Sequence, residues 1–242
     1  MTDVWGRIYR DQWEGAAHPH VVERNDGREE TFESAGHYFE APRFPAEEEE
    51  LGRLSGPILD VAAGSGSYAI HLQNLGHSVV AIDASPLAVR IAGMRGCLDA
   101  RVMDLRKLDF DPGTFRSIVS MGNTFGAHQD PESLPSYMKR LRRLVESDGV
   151  LVTSTIDPLD TDDAGHLAYH ARNRERGRPP GLLSVRVGYR EELTDWFHLW
   201  LTTREEIEAI APAAGWELVH EASDGPWRIR RFAARSSSST GL

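Results

Sequence analysis

Short apolar runs alternate with amphipathic stretches between residues 56 and 156. The apolar runs are typical of buried strands, and apolar residues at every third or fourth position predict helices. Their alternation predicts βαβ units around a parallel sheet. The predicted strands are GPILDVA (56–62), HSVVAID (77–83), DARVMDL (99–105), FRSIVSMG (115–122) and GVLVTSTI (149–156), and the predicted helices are SYAIHLQNLG (67–76), SPLAVRIAGMRG (85–96) and LPSYMKRLRRLVESDG (134–149).

The pattern changes after residue 156. Residues 157–180 are polar, and we expect them to contain little that could pack. Two β-rich runs, LLSVRVGYREEL (182–193) and DWFHLWL (195–201), predict a β-hairpin inserted after the fifth strand. The last two runs, 215–223 and 226–234, flank a DGP turn and predict a terminal antiparallel hairpin.

These elements together predict an α/β fold. We expect a Rossmann-like, seven-stranded, mostly parallel sheet with a terminal antiparallel hairpin and helices on both faces. Residues 1–54 are predicted to form an N-terminal helical lid, and residues 55–235 the main domain, with a substrate-side insertion at 157–201. The serine-rich residues 236–242 are predicted to be a disordered tail.

Composition and charge narrow the classes of partner. The 242-residue chain has a formal net charge of −10, which argues against a protein that binds the phosphate backbone of nucleic acids. It has no apolar run of membrane-spanning length, and its single cysteine, Cys97, fits a reducing compartment, so we expect a cytoplasmic protein. His18 and His20 lack a third ligand nearby, so no metal site is expected.

The stretch LDVAAGSGSYA (59–69) predicts a ligand-binding loop. Glycines between a strand and a helix let the backbone approach a ligand, and the helix N-terminus offers free N–H groups. GSGSYA fits the G-x-G-x-x-A turn of dinucleotide-binding domains, and Asp83 follows Gly66 at a suitable spacing for a ribose-binding acid. On these residues alone, a nicotinamide cofactor remains an alternative.

Two further motifs change the interpretation. Asp104 ends the third predicted strand, where a carboxylate can accept a hydrogen bond from an adenine amino group, and MGNTFGAH (121–128) follows the fourth. With LDVAAGSG (59–66) and Asp83, these motifs make residues 55–157 resemble the class I S-adenosylmethionine-dependent methyltransferases. Ala62 stands where that family most often has its first glycine, and we expect its small side chain to leave the backbone path unchanged.

The resemblance implies S-adenosylmethionine as the cofactor and a small molecule as the methyl acceptor. An N-terminal helix commonly covers the cofactor in this family, and Tyr9 is similar to a tyrosine that packs on it. The cofactor-binding residues that the resemblance implies are Tyr9, Asp60, Ala62, Gly64, Gly66, Asp83, Ala84, Asp104, Leu105, Met121 and Gly122.

The candidate catalytic residues depend on the nucleophile. An amine needs only alignment, whereas a hydroxyl or carbon acid needs a base, and histidine is the side chain most readily tuned for that role. GNTFGAH (122–128) is locally similar to glycine and sarcosine N-methyltransferases, which brings in Asn123. The candidates are His18, His20, His37, Asn123, His128 and His198.

The sequence therefore predicts methyl transfer to an N or O nucleophile of a small metabolite or natural product. Transfer to carbon, a nicotinamide-dependent oxidoreductase and a non-catalytic cofactor-binding module remain alternatives. We expect no nucleic-acid or membrane partner, and we regard a homodimer as possible.

Overall fold

The structure, a computed structural model, describes residues 3–235, and the predicted tail at 236–242 lies outside them. The described residues form two β-sheets with helices packed around the larger one. The strands are β1 (His20–Arg24), β2 (Glu29–Phe32), β3 (Ile58–Val61), β4 (Val79–Asp83), β5 (Ala100–Val102), β6 (Phe115–Ser120), β7 (Val145–Ile156), β8 (Leu182–Tyr189), β9 (Glu192–Leu193), β10 (Phe197–Trp200), β11 (Trp216–Asp224) and β12 (Trp227–Ala234). The α-helices are α1 (Val4–Trp13), α2 (Pro45–Gly52), α3 (Ser67–Asn74), α4 (Pro86–Met94), α5 (Leu134–Leu144), α6 (Ala164–Glu175) and α7 (Arg204–Ile210).

The larger sheet has seven strands in the order β11-β12-β7-β6-β3-β4-β5. Strands β3 to β7 pair in parallel, and β12 is antiparallel to both β7 and β11. The predicted Rossmann-like sheet with its terminal antiparallel hairpin is therefore confirmed.

Two hydrophobic cores lie on opposite faces of this sheet. Successive residues of a strand point to opposite faces, so Ile58 packs in one core and Leu59 in the other. All four residues of β3 are buried, as expected for a parallel strand covered on both sides. The amphipathic helix α5 buries five residues on one side: Leu134, Tyr137, Met138, Leu141 and Leu144.

The smaller sheet joins the N-terminal region to the predicted insertion. Its strands run in the order β10-β8-β1-β2, all antiparallel, and β9 pairs with β8. The N-terminal region is thus not only a helical lid, because it contributes the hairpin β1–β2. The insertion does not stand alone as a hairpin, since β8 has β1 as a second partner. Each half buries its apolar side chains only when the other is present, which explains why neither run predicts this sheet by itself.

Two local predictions are wrong. The stretch 157–180 contains α6, whose Tyr169, His170 and Asn173 are buried. The helix begins after Asp163, whose carboxylate accepts a hydrogen bond from the His166 N–H at 2.8 Å. Helix α5 was predicted to run to residue 149, but it ends at Leu144 and β7 starts at the next residue.

Helix α1 docks against the start of α4 through one shared carboxylate. Asp3 is the N-cap of α1 and accepts a hydrogen bond from the Gly6 N–H at 2.9 Å. Its other oxygen accepts from the Ser85 hydroxyl at 2.7 Å and from the Leu87 N–H at 3.3 Å. Asp3 therefore satisfies donors at the N-termini of both helices.

No helix among residues 3–235 is long and apolar enough to span a bilayer.

Replacing Gly6 with alanine should weaken this docking. A Cβ at Gly6 would lie 2.4 Å from the Ser85 hydroxyl oxygen and 2.5 Å from the Leu87 Cβ, so the helices must separate. We expect faster hydrogen exchange across α1 in Gly6→Ala. Gly52→Ala is the control, because a Cβ there meets nothing within 4 Å, and its exchange in α1 should match the parent protein. Equal protection of α1 in Gly6→Ala and the parent would contradict this account.

Candidate functional site

The carboxyl ends of β3, β4 and β6 form the candidate site. Strand β3 lies between β4 and β6, and the chain runs outward from β3 in one direction to β5 and in the other to β7. The point where the strand order reverses is where open α/β sheets bind ligands. Asp60, Asp83 and Met121 stand at or just after these three strand ends.

The loop after β3 has three residues with left-handed backbone angles. Their φ values are +58° at Ala62, +55° at Gly64 and +79° at Gly66. A Cβ on Gly66 would lie 2.8 Å from the Ala92 Cβ, so glycine lets the loop pack directly on α4. Ala62 takes the conformation that suits glycine, which agrees with the expectation that the backbone path is kept.

Asp83 links the loop to the start of α4. Its Oδ2 accepts a hydrogen bond from the Gly64 N–H at 2.9 Å, and its Oδ1 accepts from the Ser85 N–H at 2.8 Å. Burial raises the pKa of this carboxyl, although the backbone hydrogen bonds from Ser85 and Gly64 oppose the rise. The neighbouring residue Ala84 is exposed.

Asp60, near the end of the adjacent strand, carries a second carboxyl of the site. Its Oδ2 is buried and has no hydrogen-bond partner among the described residues. Burial raises its pKa to about 7; a backbone hydrogen bond from Ala69 opposes the rise and the charge of Asp83 adds to it. An unpaired buried carboxylate costs free energy, so this edge favours a ligand with a positive charge.

A short 3₁₀ turn at Gly36–Phe39 covers the glycine loop. The Tyr38 carbonyl accepts hydrogen bonds from the hydroxyls of Ser65 and Ser67, the latter at 2.9 Å. Arg95 donates to the Ser65 carbonyl at 2.7 Å and to the Phe39 carbonyl at 2.8 Å. These bonds hold the turn and the loop together as one unit.

Tyr9 of α1 lies on the same loop. A Cβ on Gly64 would be 3.0 Å from the Tyr9 hydroxyl oxygen, so the ring packs directly against the backbone. The Tyr9 ring also contacts Trp5, Tyr38 and Phe39, at centroid distances of 6.1, 5.7 and 6.4 Å. The structure thus places α1 and its tyrosine over the predicted cofactor loop.

Arg43 is a site residue that the sequence analysis missed. Its guanidinium lies 3.5 Å from the position that a Cβ on Gly122 would take, and it donates to the Tyr68 hydroxyl at 2.9 Å. It also pairs with buried Glu47 at 3.3 Å and lies 4.4 Å from the centre of the Trp227 ring. A proline follows it two residues later and a cis-proline precedes it, so no periodic pattern marks the residue.

A group of six rings, which we call the ring cluster, packs between α1, the smaller sheet and the 3₁₀ turn. It consists of Trp5, Tyr9, His20, Phe32, His37 and Tyr38. His20 is fully buried and stacks on Phe32 at 5.0 Å. Neither of its ring nitrogens has a hydrogen-bond partner among the described residues. Two of the predicted candidates, His20 and His37, are therefore brought together here.

The other three candidate histidines lie apart from the ring cluster. His18 is exposed and lies two residues before β1, and the centre of its ring is 6.4 Å from that of Tyr189. His128 is exposed, its N–H donates to the His198 carbonyl at 2.7 Å, and its ring packs on Phe197 at 4.8 Å. His198 is exposed, with its Nδ1 3.4 Å from an oxygen of Asp130.

Asn123 and Asp104 make contacts that the sequence analysis did not anticipate. The Asn123 side-chain oxygen accepts a hydrogen bond from the Ile156 N–H at 2.8 Å, so this atom holds the β6 loop to β7 instead of facing an acceptor. Asp104 accepts hydrogen bonds from Arg106, which lower the pKa of its carboxyl. Leu105 is half-buried against the core, and Met121 is buried.

Residues 58–149 match the protein-family model described as a methyltransferase domain. In a search of curated proteins, 93 residues are 29% identical to a 2-heptyl-1-hydroxyquinolin-4(1H)-one methyltransferase from Mycobacteroides abscessus. That match covers 38% of this chain and only 39% of the relative, so it compares one segment of the two proteins.

Solved structures resemble a much larger part of the chain. A methyltransferase from Bacteroides fragilis, in complex with S-adenosyl-L-homocysteine, is 24% identical with a TM-score of 0.78 over 96% of this chain and 95% of that one. A 1,6-didemethyltoxoflavin-N1-methyltransferase from Burkholderia thailandensis is 18% identical with a TM-score of 0.52 over 78% and 75%. At these identities the likeness shows the fold.

The fold and the matched domain together define the class. The chain has the class I methyltransferase fold and carries a methyltransferase domain, which confirms the predicted resemblance. The methyltransferase domain matched by residues 58–149 agrees with the predicted enzyme, and the two structures named above hold S-adenosylhomocysteine, which agrees with the predicted cofactor.

Ala62 should be a strained position. A left-handed backbone costs an L-residue other than glycine roughly 1–2 kcal/mol. We expect Ala62→Gly to leave the free energy of unfolding unchanged or raise it by about 1 kcal/mol, because the relief of strain exceeds the added entropy of the unfolded chain. The matched control is Ala171→Gly on the exposed side of α6, which should lower it by about 1 kcal/mol. Chemical denaturation measures both, and equal losses in the two variants would show that Ala62 is unstrained.

Proposed function

We propose that this protein transfers a methyl group from S-adenosylmethionine to a nitrogen or oxygen atom of a small molecule. The observation that carries the proposal is the cover over the carboxyl edge of the larger sheet. Helix α1, the 3₁₀ turn and the smaller sheet enclose this edge with aromatic rings, and an enclosed edge suits a compact acceptor better than a macromolecule.

The named relatives support a small acceptor. The Mycobacteroides abscessus relative is a methyltransferase of a hydroxyquinolinone, and the Burkholderia thailandensis structure contains bound 1,6-didemethyltoxoflavin. Both acceptors are small heteroaromatic compounds. The net charge of −10 further disfavours a nucleic-acid substrate for the present chain.

The charges at the site favour a sulfonium cofactor over a nicotinamide dinucleotide. Two carboxyls, the buried Asp60 and the half-buried Asp83, stand at adjacent strand ends, and the Gly64 N–H already donates to Asp83. A pyrophosphate brought to this loop would face negative charge, whereas an ammonium group would be attracted. Of the chain's own groups, the unpaired Oδ2 of Asp60 fits that ammonium group.

The other cofactor-binding roles are assigned from the positions of the residues along the edge of the sheet. We assign the ribose hydroxyls to Asp83, the adenine amino group to Asp104 and the methionine end to the loop at 62–66. Arg43, beside Gly122, adds a cation that can face the methionine carboxylate. Bound S-adenosylmethionine supplies an activated methyl group. The chain's residues align the acceptor and exclude water, and Tyr9 covers the loop from the side of α1.

Calorimetric titration with S-adenosylhomocysteine, followed by methyl transfer from labelled cofactor to a panel of hydroxylated aromatics and amines, tests the proposed function. In Asp83→Asn, the loss of a charged acceptor should weaken cofactor affinity by about 10–100-fold, or ~1.5–3 kcal/mol. Asp99→Asn is the control, since Asp99 precedes β5 at the opposite edge of the sheet and pairs with Arg101. Unchanged affinity in Asp83→Asn would remove this residue from the cofactor site, and absence of binding by the parent protein would refute the function.

The raised pKa of Asp60 predicts that cofactor binding depends on pH. With its pKa raised to about 7, the carboxyl is largely protonated at pH 6, whereas a bound ammonium group stabilises the ionised form. Binding should therefore release a proton at pH 6 but not at pH 9, and affinity should fall as the pH drops below 7. Calorimetry in buffers of different ionisation enthalpy measures this proton release, which should vanish in Asp60→Asn.

The raised pKa of Asp60 also changes the stability of the ligand-free protein with pH. The direction is opposite to that of most carboxyls, whose pKa is lowered on folding. Because the folded state binds the Asp60 proton more tightly than the unfolded chain, this residue's contribution to stability is greatest at low pH and is lost between about pH 4 and pH 7. The difference in unfolding free energy between Asp60→Asn and the parent should therefore change over this window. A pH-independent difference, together with buffer-independent binding heats, would show that Asp60 is ionised throughout.

A further inference from the structure

The ring cluster contains an energetic defect. His20 is fully buried, yet both of its ring nitrogens lack a hydrogen-bond partner among the described residues. Its neighbours are rings: Trp5 at 6.2 Å, Phe32 at 5.0 Å, His37 at 6.4 Å and Tyr38 at 5.9 Å. A phenylalanine would pack in such a place without leaving polar atoms unpaired. The imidazole is therefore better explained by a ligand than by packing.

The cluster touches the cofactor loop on one side and reaches the surface on another. Tyr38 accepts hydrogen bonds from the loop residues Ser65 and Ser67, and Tyr9 packs on Gly64. On the opposite side, Phe32 and His37 are only half-buried. A ligand entering past these two rings would come to lie beside the loop that is proposed to hold the methionine end of the cofactor.

The groups around the two histidines keep them uncharged. His37 lies near Arg43 and Glu40 and against the Tyr38 ring, and burial followed by the Arg43 charge lowers its pKa. Burial and then His37 lower the pKa of His20 to about 4. From the other elements, β8 contributes Tyr189 opposite His20, while α1 contributes Trp5 and Tyr9 and β2 contributes Phe32. Near neutral pH both imidazoles are therefore uncharged, and each has one ring nitrogen that can accept a hydrogen bond.

We propose that the ring cluster is the acceptor site, that His37 is the base and His20 a hydrogen-bonding partner, and that the acceptor is a flat aromatic compound with an ionisable hydroxyl group. The proposal rests on the proposed function and narrows its nucleophile to oxygen. Every member of the cluster is an aromatic ring, which suits a flat aromatic ligand, and none carries a carboxylate or a guanidinium to hold a small amino acid.

The proposed step transfers the methyl group from the cofactor sulfur to the acceptor oxygen. A ring nitrogen of His37 takes the hydroxyl proton while the hydroxyl oxygen forms a bond to the methyl carbon. The carbon–sulfur bond breaks, and its electron pair stays on sulfur, which becomes a neutral thioether. The imidazolium of His37 then releases its proton to solvent through the half-buried side of the cluster.

The test uses 4-nitrophenol as the probe, because its absorbance reports the ionised hydroxyl. With S-adenosylhomocysteine present, the parent protein should lower the apparent pKa of the bound probe, and His37→Gln should lose that shift. With S-adenosylmethionine and hydroxylated aromatic acceptors, His37→Gln should reduce kcat by about 10²–10³-fold and remove the acid limb of its pH profile. Affinity for S-adenosylhomocysteine should stay within about threefold in this variant. His77→Gln, before β4 at the opposite edge of the sheet, is the matched control and should behave as the parent does.

His20→Phe separates ligand binding from folding. Removing two unpaired polar atoms from an aromatic core should leave Tm unchanged or higher, while affinity for 4-nitrophenol falls by at least about tenfold. A kcat within threefold of the parent in His37→Gln, or tight probe binding by a stable His20→Phe, would overturn the proposal. So would methylation of amines such as glycine with neither binding nor reaction of hydroxylated aromatics, although the proposed function would then stand. If the parent protein fails to bind S-adenosylhomocysteine, the proposed function itself fails.

Discussion

The arrangement of the site depends on two carboxyl groups held close together at the edge of the sheet, one of them, Asp60, buried and the other, Asp83, half-buried. Asp60 lies one residue before the end of β3 and Asp83 ends the neighbouring parallel strand β4, so the sheet holds their backbones close together. Two like charges in such a place raise each other's free energy, and the chain offsets only part of this cost. Asp83 receives backbone hydrogen bonds from Gly64 and Ser85, whereas one oxygen of Asp60 receives none among the described residues.

The way Asp83 is satisfied determines the shape of the surrounding loop. The Gly64 N–H reaches Asp83 because the chain turns back sharply after β3, with a left-handed angle at Ala62, and the turn continues through left-handed angles at Gly64 and Gly66. For the Ser85 N–H to reach it, α4 must begin directly after β4. The Ser85 hydroxyl then bonds Asp3 and so fixes α1 in turn. A single set of hydrogen bonds thus connects the cofactor loop to the element that covers it.

The sequence predicted the parallel part of the fold well, for a physical reason. Buried parallel strands are apolar throughout, whereas their helices repeat apolar residues every three or four positions. The sequence pattern therefore distinguishes strands from helices clearly between residues 56 and 156. The smaller sheet was not predicted, since β1 and β8 are 157 or more residues apart and only their pairing buries them. Helix α6 was missed because its buried residues, Tyr169, His170 and Asn173, are mostly polar.

The candidate site divides in the same way. The positions of Asp60, Asp83 and Asp104 at or just after strand ends could be predicted, because the motifs occur in the same order as the strands along the chain, and their roles in cofactor binding stay a proposal. The meeting of His20 with His37, and the position of Arg43 beside Gly122, depend on tertiary contacts that no local pattern encodes. Among five candidate histidines, only burial and missing hydrogen-bond partners distinguish His20 from His18, two residues away.

The residues that match the methyltransferase-domain model separate the glycine loop from the ring cluster. The matched residues, 58–149, contain the glycine loop, Asp83 and Asp104, whereas every member of the ring cluster lies outside them. The smaller sheet is likewise built from residues before 58 and after 149. In the proposed function, most cofactor-binding residues therefore lie within 58–149 and the proposed acceptor site lies outside it, and the two meet where Tyr9 and Tyr38 contact the glycine loop. The ring cluster meets the glycine loop through the Tyr38 carbonyl, which accepts from Ser65 and Ser67, and through the Tyr9 ring on Gly64. Changes at the other members of the cluster can therefore alter the proposed acceptor site without moving the carboxyls at the strand ends.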